Sequence, residues 1–195
     1  PFVELMRSTL ASARDAFRDA PEPVRALVGL NALVFMLWRL LPQRVMFEHF
    51  TLSLENTARG RWWTLLTSPL SHVGLVHLAW NMAATLAFGP AVVAALGAPL
   101  FVALVFAAAL TSALADHLYK LALRARGARG GARSAPSVEA FAARRPSLGF
   151  SGVVMALVVV HAFVLQRHGG GSLTFLGFGG ALEPLQVLGL GFLVE

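Results

Sequence analysis

From Trp62 to Gly97 the chain runs without a single Asp, Glu, Lys or Arg. Inside that run lies Leu70 to Asn81, reading LSHVGLVHLAWN, followed by MAATLAFGPAVVAALG. A run this apolar is read as membrane-spanning, and the polar groups within it are then the exception that needs a reason. In hydrocarbon, an imidazole or carboxamide without a partner costs several kcal/mol by order of magnitude, so such groups turn toward a bundle interior. His77 and Asn81 stand four apart and share one helical face. The neighbour expected to receive them is Ser151, which lies between Gly149 and Gly152 at the start of a later apolar run.

Composition points the same way. Hydrophobic residues make up 56% of the 195 and charged residues 13%, with a mean hydropathy of +0.67. A soluble domain of this size could not hide that much apolar surface. The expected fold is therefore all-α, a polytopic bundle of transmembrane helices with about five spans, the last one incomplete. Cysteine is absent, so neither a disulfide framework nor a thiolate zinc site is available. The chain opens on Pro1 and stops at Glu195 in mid-pattern, which reads as a fragment.

Residues 1–23 form an amphipathic juxtamembrane segment, with Phe2, Met6, Leu10, Ala13 and Phe17 on one stripe. Glu4, Asp15, Asp19 and Glu22 argue against a cleavable targeting peptide. Pro21 and Pro23 stop this helix and start the next. Residues 24–195 make up the transmembrane domain. A first span is expected over about 24–41, then a polar connection over 42–61. A second span over about 72–88 is closed by Gly89-Pro90, with Ala83, Ala87 and Ala91 as a ridge for close helix approach. A third span covers about 100–119. Residues 120–147 read as a basic, flexible extramembrane loop, which serves topology rather than nucleic acid because no stacking aromatics interleave its arginines. A fourth span over about 148–165, a glycine-rich turn at 169–171 and a fifth span from about Pro184 complete the pattern.

Eleven cations flank the connections on one face: Arg39, Arg44, Arg59, Arg61, Lys120, Arg124, Arg126, Arg129, Arg133, Arg144 and Arg145. Arg7, Arg14, Arg18, Arg25 and Arg167 flank the other. This asymmetry puts the Trp62 and Ser151 face on the cytosolic or matrix side and calls for either an unusual start or a further span upstream of Pro1.

Ser151 carries the chemistry in this reading. A serine in a spanning helix ordinarily bonds back to a carbonyl of its own helix or packs against a neighbour. Here Gly149 and Gly152 allow close backbone approach and expose N–H groups at a helix start, where a developing oxyanion is stabilised. The motif differs from the G-x-S-x-G elbow of soluble hydrolases, because Val153 occupies the place of the last glycine.

The ordered set His72, His77, Asn81, Phe88-Gly89, Gly97 and Gly149-Phe150-Ser151-Gly152 resembles the rhomboid intramembrane serine proteases. The resemblance implies Ser151 as nucleophile, His77 and Asn81 as side-chain donors to the oxyanion, His72 as a supporting histidine, and Gly149 and Gly152 as parts of the same site. Departures from the family pattern are Trp63-Thr64 where many members carry Trp-Arg, Val93 in place of a glutamate, and Phe150 in place of an alanine. The first two, with RRPSLGFSG, resemble the mitochondrial presenilin-associated branch, whose members carry an extra span before the core. An integral protein of the mitochondrial inner membrane is the implied setting, with transmembrane protein segments as substrates, membrane lipids as surroundings, and no nucleic acid, cofactor or metal.

In that family the base is a histidine on the sixth core span, which falls beyond Glu195. His161 lies ten residues after Ser151 on one helix, about 15 Å away at the helical rise, and His49, His117 and His168 fall in loops or at span ends. Residues 1–195 alone are therefore expected to be inactive. As a metal set, His72, His77 and Asn81 lack a carboxylate or thiolate partner, and five-residue spacing turns His72 away. The competing readings are a rhomboid-like pseudoprotease that binds client helices and a transporter or channel subunit, the latter without the internal repeat such proteins show.

Overall fold

A computed structural model describes residues 2–129, 145–167, 173–175 and 178–182. The described residues are mostly helical. Helix α1 spans Phe2–Asp19 and α2 Glu22–Leu40. Short helices follow, α3 over Gln43–Phe50, α4 over Leu54–Ala58 and α5 over Thr64–Thr67, with a 3-10 turn at Ser68–Leu70. Then come α6 over Leu75–Leu96, α7 over Ala98–Arg129 and α8 over Ser151–Arg167. Two short strands, β1 (Leu173–Phe175) and β2 (Phe178–Leu182), pair antiparallel, a small departure from an all-helical chain. The fifth span, the glycine-rich turn at 169–171, His168 and residues 130–144 of the basic stretch lie outside the described residues.

Among the described residues three helices are long and apolar enough to cross a membrane: Glu22–Leu40, Leu75–Leu96 and Ala98–Arg126. The apolar helix Ser151–Phe163 is shorter. Leu33, Met36, Val76, Leu100, Phe106 and Leu118 are all exposed, which is the pattern of faces turned to lipid rather than to water.

The chain divides into two compact units. The first comprises Pro1–Ala32, Gly74–Val105 and Val154–Glu195. Its helices meet at Gly89, where a Cβ would stand 3.0 and 3.3 Å from the Val24 methyls and 3.8 Å from the Phe101 ring. Val24, Phe88, Val92 and Phe101 are all buried. This corrects two expectations. Helix α6 passes through Gly89-Pro90 and ends only at Leu96, because a membrane helix tolerates a proline whose φ suits the helix and whose lost bond neighbours can offset. The close approach is made by Gly89 and not by the alanine ridge, since Ala87 is exposed. Gly97, at φ 78°, is the single residue between α6 and α7. Phe101 lies beside Gly89, twelve residues earlier, so α7 folds back on α6 at that glycine.

The second unit comprises Leu33–Val73 and Phe106–Val153. Its connection over 42–61 is folded rather than loose. Ser53 caps α4 by accepting from the Asn56 N–H at 3.1 Å. The buried Asn56 amide donates to the carbonyls of Phe47 (2.9 Å) and Thr51 (2.8 Å), and its Oδ1 accepts from Arg61 at 3.1 Å. The basic stretch expected as loop from residue 120 begins as helix, because α7 continues to Arg129.

Candidate active site

Residues 145–150 lead into α8 without helical structure and belong to the second unit. Ser147 pairs with Leu52 through two backbone bonds of 2.8 Å. Gly149 adopts φ 126°, a region that side chains disfavour, and its N–H donates to the Ser68 carbonyl at 3.1 Å. Phe150 is fully buried, so the bulky residue beside the candidate nucleophile serves as core. Ser151 is the first residue of α8. The Val153 N–H bonds the Phe150 carbonyl at 3.0 Å, tightening the first turn. Gly152 lies so close to α7 that a Cβ there would stand 2.5 Å from both Cβ and Oγ of Ser112.

The His72 segment is joined to the same turn. The Ser68 carbonyl that accepts from Gly149 also accepts from the Ser71 N–H at 3.1 Å. The Ser71 hydroxyl in turn accepts from Trp38 Nε1 at 3.1 Å. His72 follows directly and is buried. One carbonyl thus ties the backbone before His72 to the backbone before Ser151.

His77 and Asn81 belong to the first unit, on α6. Asn81 is buried and its Nδ2 donates to the His77 carbonyl at 3.0 Å, while Thr85 Oγ1 donates to the Asn81 carbonyl at 2.8 Å. The four-residue spacing therefore works along the helix, with one amide N–H bonded back to the helix and a second remaining for another acceptor. His161 packs against the Phe88 ring at 5.2 Å. Because α8 is continuous from Ser151 to Arg167, His161 stays about 15 Å from Ser151 along the axis. His117 meets Trp62 edge-on at 6.2 Å, and His49 stacks on Trp63 at 5.7 Å. Among the described residues no three His, Asp or Glu side chains gather as a metal set.

One buried polar cluster escaped the sequence reading. Lys120, with a side chain only 4% exposed, pairs with Asp116 one turn earlier on α7 at 2.8 Å. It also donates to Ser147 Oγ and to the Leu52 carbonyl, at 2.5 and 3.2 Å. Ser147 Oγ donates to Asp116 Oδ1 at 3.0 Å. The available signal was the Asp116/Lys120 spacing, which a span boundary drawn at Tyr119 cut in two.

A family profile for the Rhomboid domain matches residues 59–194. The chain is 35% identical over 147 residues to RHOMBOID-like protein 12, mitochondrial, of Arabidopsis thaliana, covering 74% of this chain and 42% of that protein. It is 30% identical over 145 residues to the Presenilin-associated rhomboid-like protein, mitochondrial, of Mus musculus, covering 74% and 33%. It is 39% identical over 89 residues to Rhomboid-like protein 16, chloroplastic, of Arabidopsis thaliana, covering 45% and 28%. The chain spans less than half the length of each of these relatives. Profile match and apolar helices together make it an integral membrane protein that belongs to the rhomboid family.

Proposed function

We propose that the protein is an intramembrane serine endopeptidase that cleaves transmembrane segments of other membrane proteins, with Ser151 as nucleophile and a base histidine contributed from beyond Glu195. The observation that carries this reading is the Gly149 turn, which opens α8 with Ser151 as its first residue in a chain of the rhomboid family. A nucleophile there has helix-start N–H groups and the positive end of the helix dipole beside it, suited to an oxyanion.

In this mechanism the base takes the Ser151 proton and Oγ attacks the peptide carbonyl carbon. Backbone N–H groups, with His77 and Asn81 in the roles the family assigns them, hold the tetrahedral oxyanion. Collapse expels the amine, and water releases the acyl group from Ser151. Each such donor is worth about 10²–10³ in rate. Substrate helices have to unwind near the site, because a helical peptide bond is shielded by its own hydrogen bonds. The two relatives named mitochondrial support a mitochondrial location, and within it we assign the protein to the inner membrane.

The test is fluorophosphonate labelling and cleavage of a transmembrane reporter by the complete protein in proteoliposomes. Wild type is expected to label and cleave, and Ser151→Ala to do neither while melting at the same temperature. Undiminished cleavage by Ser151→Ala removes the assignment. A folded wild type that neither labels nor cleaves leaves a client-binding pseudoprotease.

A further inference from the structure

Ser112, Asp116 and Lys120 follow one another at four-residue spacing on α7, so they form one stripe down that helix. Along the same stripe lies the segment that carries Ser151. Ser112 meets Gly152 at the upper end, with no room between them for a methyl group. Asp116 and Lys120 meet Ser147 at the lower end. The candidate nucleophile is thus flanked on both sides by points at which its chain is pinned to α7.

The lower pin holds Lys120 from three directions, by two hydrogen bonds and one ion pair. An ammonium has three N–H donors, and three oxygens surround Lys120 Nζ: Leu52 O, Ser147 Oγ and Asp116 Oδ2. The Ser147 hydroxyl uses its single proton toward Asp116 Oδ1 and accepts from Lys120. The Leu52 carbonyl accepts from both the Ser147 N–H and Lys120. A cation this buried is set apart from the exposed Arg124 and Arg126 beyond it on α7, which suffice as topology signals.

We infer that the Ser112–Asp116–Lys120 stripe of α7 sets the position of Ser151, with Lys120 acting through Ser147 as a positioning residue. The inference rests on the protease reading for its catalytic consequence. Its physical basis is that a nucleophile has to be held to within about 0.5 Å, and a shift of about 1 Å lowers the rate about 10²-fold. Residues 145–150 have no helix of their own to supply such rigidity. Arginine does not replace Lys120 here, because a planar fork cannot address three oxygens arranged around a point charge.

Removing Lys120 alone strands the Asp116 carboxylate, so the decisive variant is Lys120→Met/Asp116→Leu, which removes both charges at similar volume. Ser147→Ala, which deletes only the hydroxyl, is the second variant. Both are made in the complete protein in proteoliposomes. Expected for each is wild-type thermal stability, a fall of about 10–100-fold in kcat and in the fluorophosphonate labelling rate, and a KM within about twofold. Stability restored together with full kcat in the double variant would show a merely structural pair and overturn the inference. Hydrogen exchange, run separately in a Ser151→Ala background, needs no activity. The backbone amides of Leu52, Ser147 and Gly149 are expected to exchange at least about tenfold faster in the double variant, and unchanged exchange overturns the inference. If wild type neither labels nor cleaves, the protease reading fails, and the exchange result alone decides whether the stripe holds the turn.

Discussion

Gly152→Ala tests the closest approach in the second unit. The added methyl would stand 2.5 Å from Ser112 Cβ and Oγ, against the about 3.5–4.0 Å at which carbon atoms rest. The hydroxyl can rotate away, but the Ser112 Cβ is fixed to α7 and cannot. The start of α8 and the facing turn of α7 therefore have to part by about 1 Å. Overpacking of this kind costs about 1–3 kcal/mol, and for a chain of this size each kcal/mol lowers the melting temperature by about 2–4 °C. The same displacement falls on Ser151, the adjacent residue, and lowers labelling by about 10²-fold. The assay is a thermal melt with fluorophosphonate labelling of the complete protein as wild type, Gly152→Ala, Ser112→Gly and the double variant. Removing the Ser112 side chain opposite the new methyl is expected to recover most of both losses, a coupling read directly from the cycle. A Gly152→Ala protein as stable as wild type, or strictly additive losses in the double variant, refutes the steric argument.

Gly149→Ala forces a side chain into φ 126°, and about 1–3 kcal/mol of destabilisation is expected in a denaturant titration. Equal stability would show that the turn relaxes freely. In the first unit, Gly29→Ala meets nothing within 4 Å and is expected to stabilise α2 by about 0.5–1 kcal/mol, whereas Gly89→Ala presses on the Val24 methyls and is expected to destabilise. Shifts of the same sign in paired melts would contradict the packing described. Glu48 on α3 hydrogen-bonds Arg44, with Arg61 and His49 adding their charge, and this holds its carboxyl below the ordinary range against the opposing effect of burial. A depressed carboxyl pKa stabilises the fold above the unfolded value of about 4.3 and loses that contribution as pH falls through the folded value. Glu48→Gln is expected to flatten the acid limb of melting temperature against pH, and superimposable profiles would count against the pairing.

The spans were legible where length and apolarity suffice, as in α2, α6 and α7. Their ends were not. Gly89-Pro90 is the strongest local stop signal in α6, yet the helix passes through it, because packing against Val24 and Phe101 outweighs a single missing bond. Residues 42–61 looked like a polar connection, but one asparagine, Asn56, gathers the carbonyls of Phe47 and Thr51 and organises short helices around itself. Contacts at such separations leave no periodic trace. At the candidate site, a helix start near Ser151 was readable from the glycines around it, and α8 begins there after a positive-φ Gly149; the chemical roles of these residues rest on the family resemblance. Gly152 was read as allowing close backbone approach, and Ser112 of α7 stands against it. Lys120 was counted as one cation among eleven, since counting charges for topology ignores which of them are buried.

The single-residue link at Gly97 bears on how the protein is made. With one glycine between Leu96 and Ala98, α6 and α7 have no connecting loop that could be translocated alone. Spans joined this tightly are expected to enter the bilayer together, as a hairpin that turns at Gly97. No charge lies between Arg61 and Asp116, so the uncharged stretch on either side of Gly97 gives no direction during biosynthesis. That task falls to Arg59 and Arg61, which precede α6, and to Arg124 and Arg126 in the C-terminal part of α7. An epitope or glycosylation sequence inserted at Gly97 would have to be carried across by a tip with no slack, while the same insertion outside the hairpin would leave its entry undisturbed.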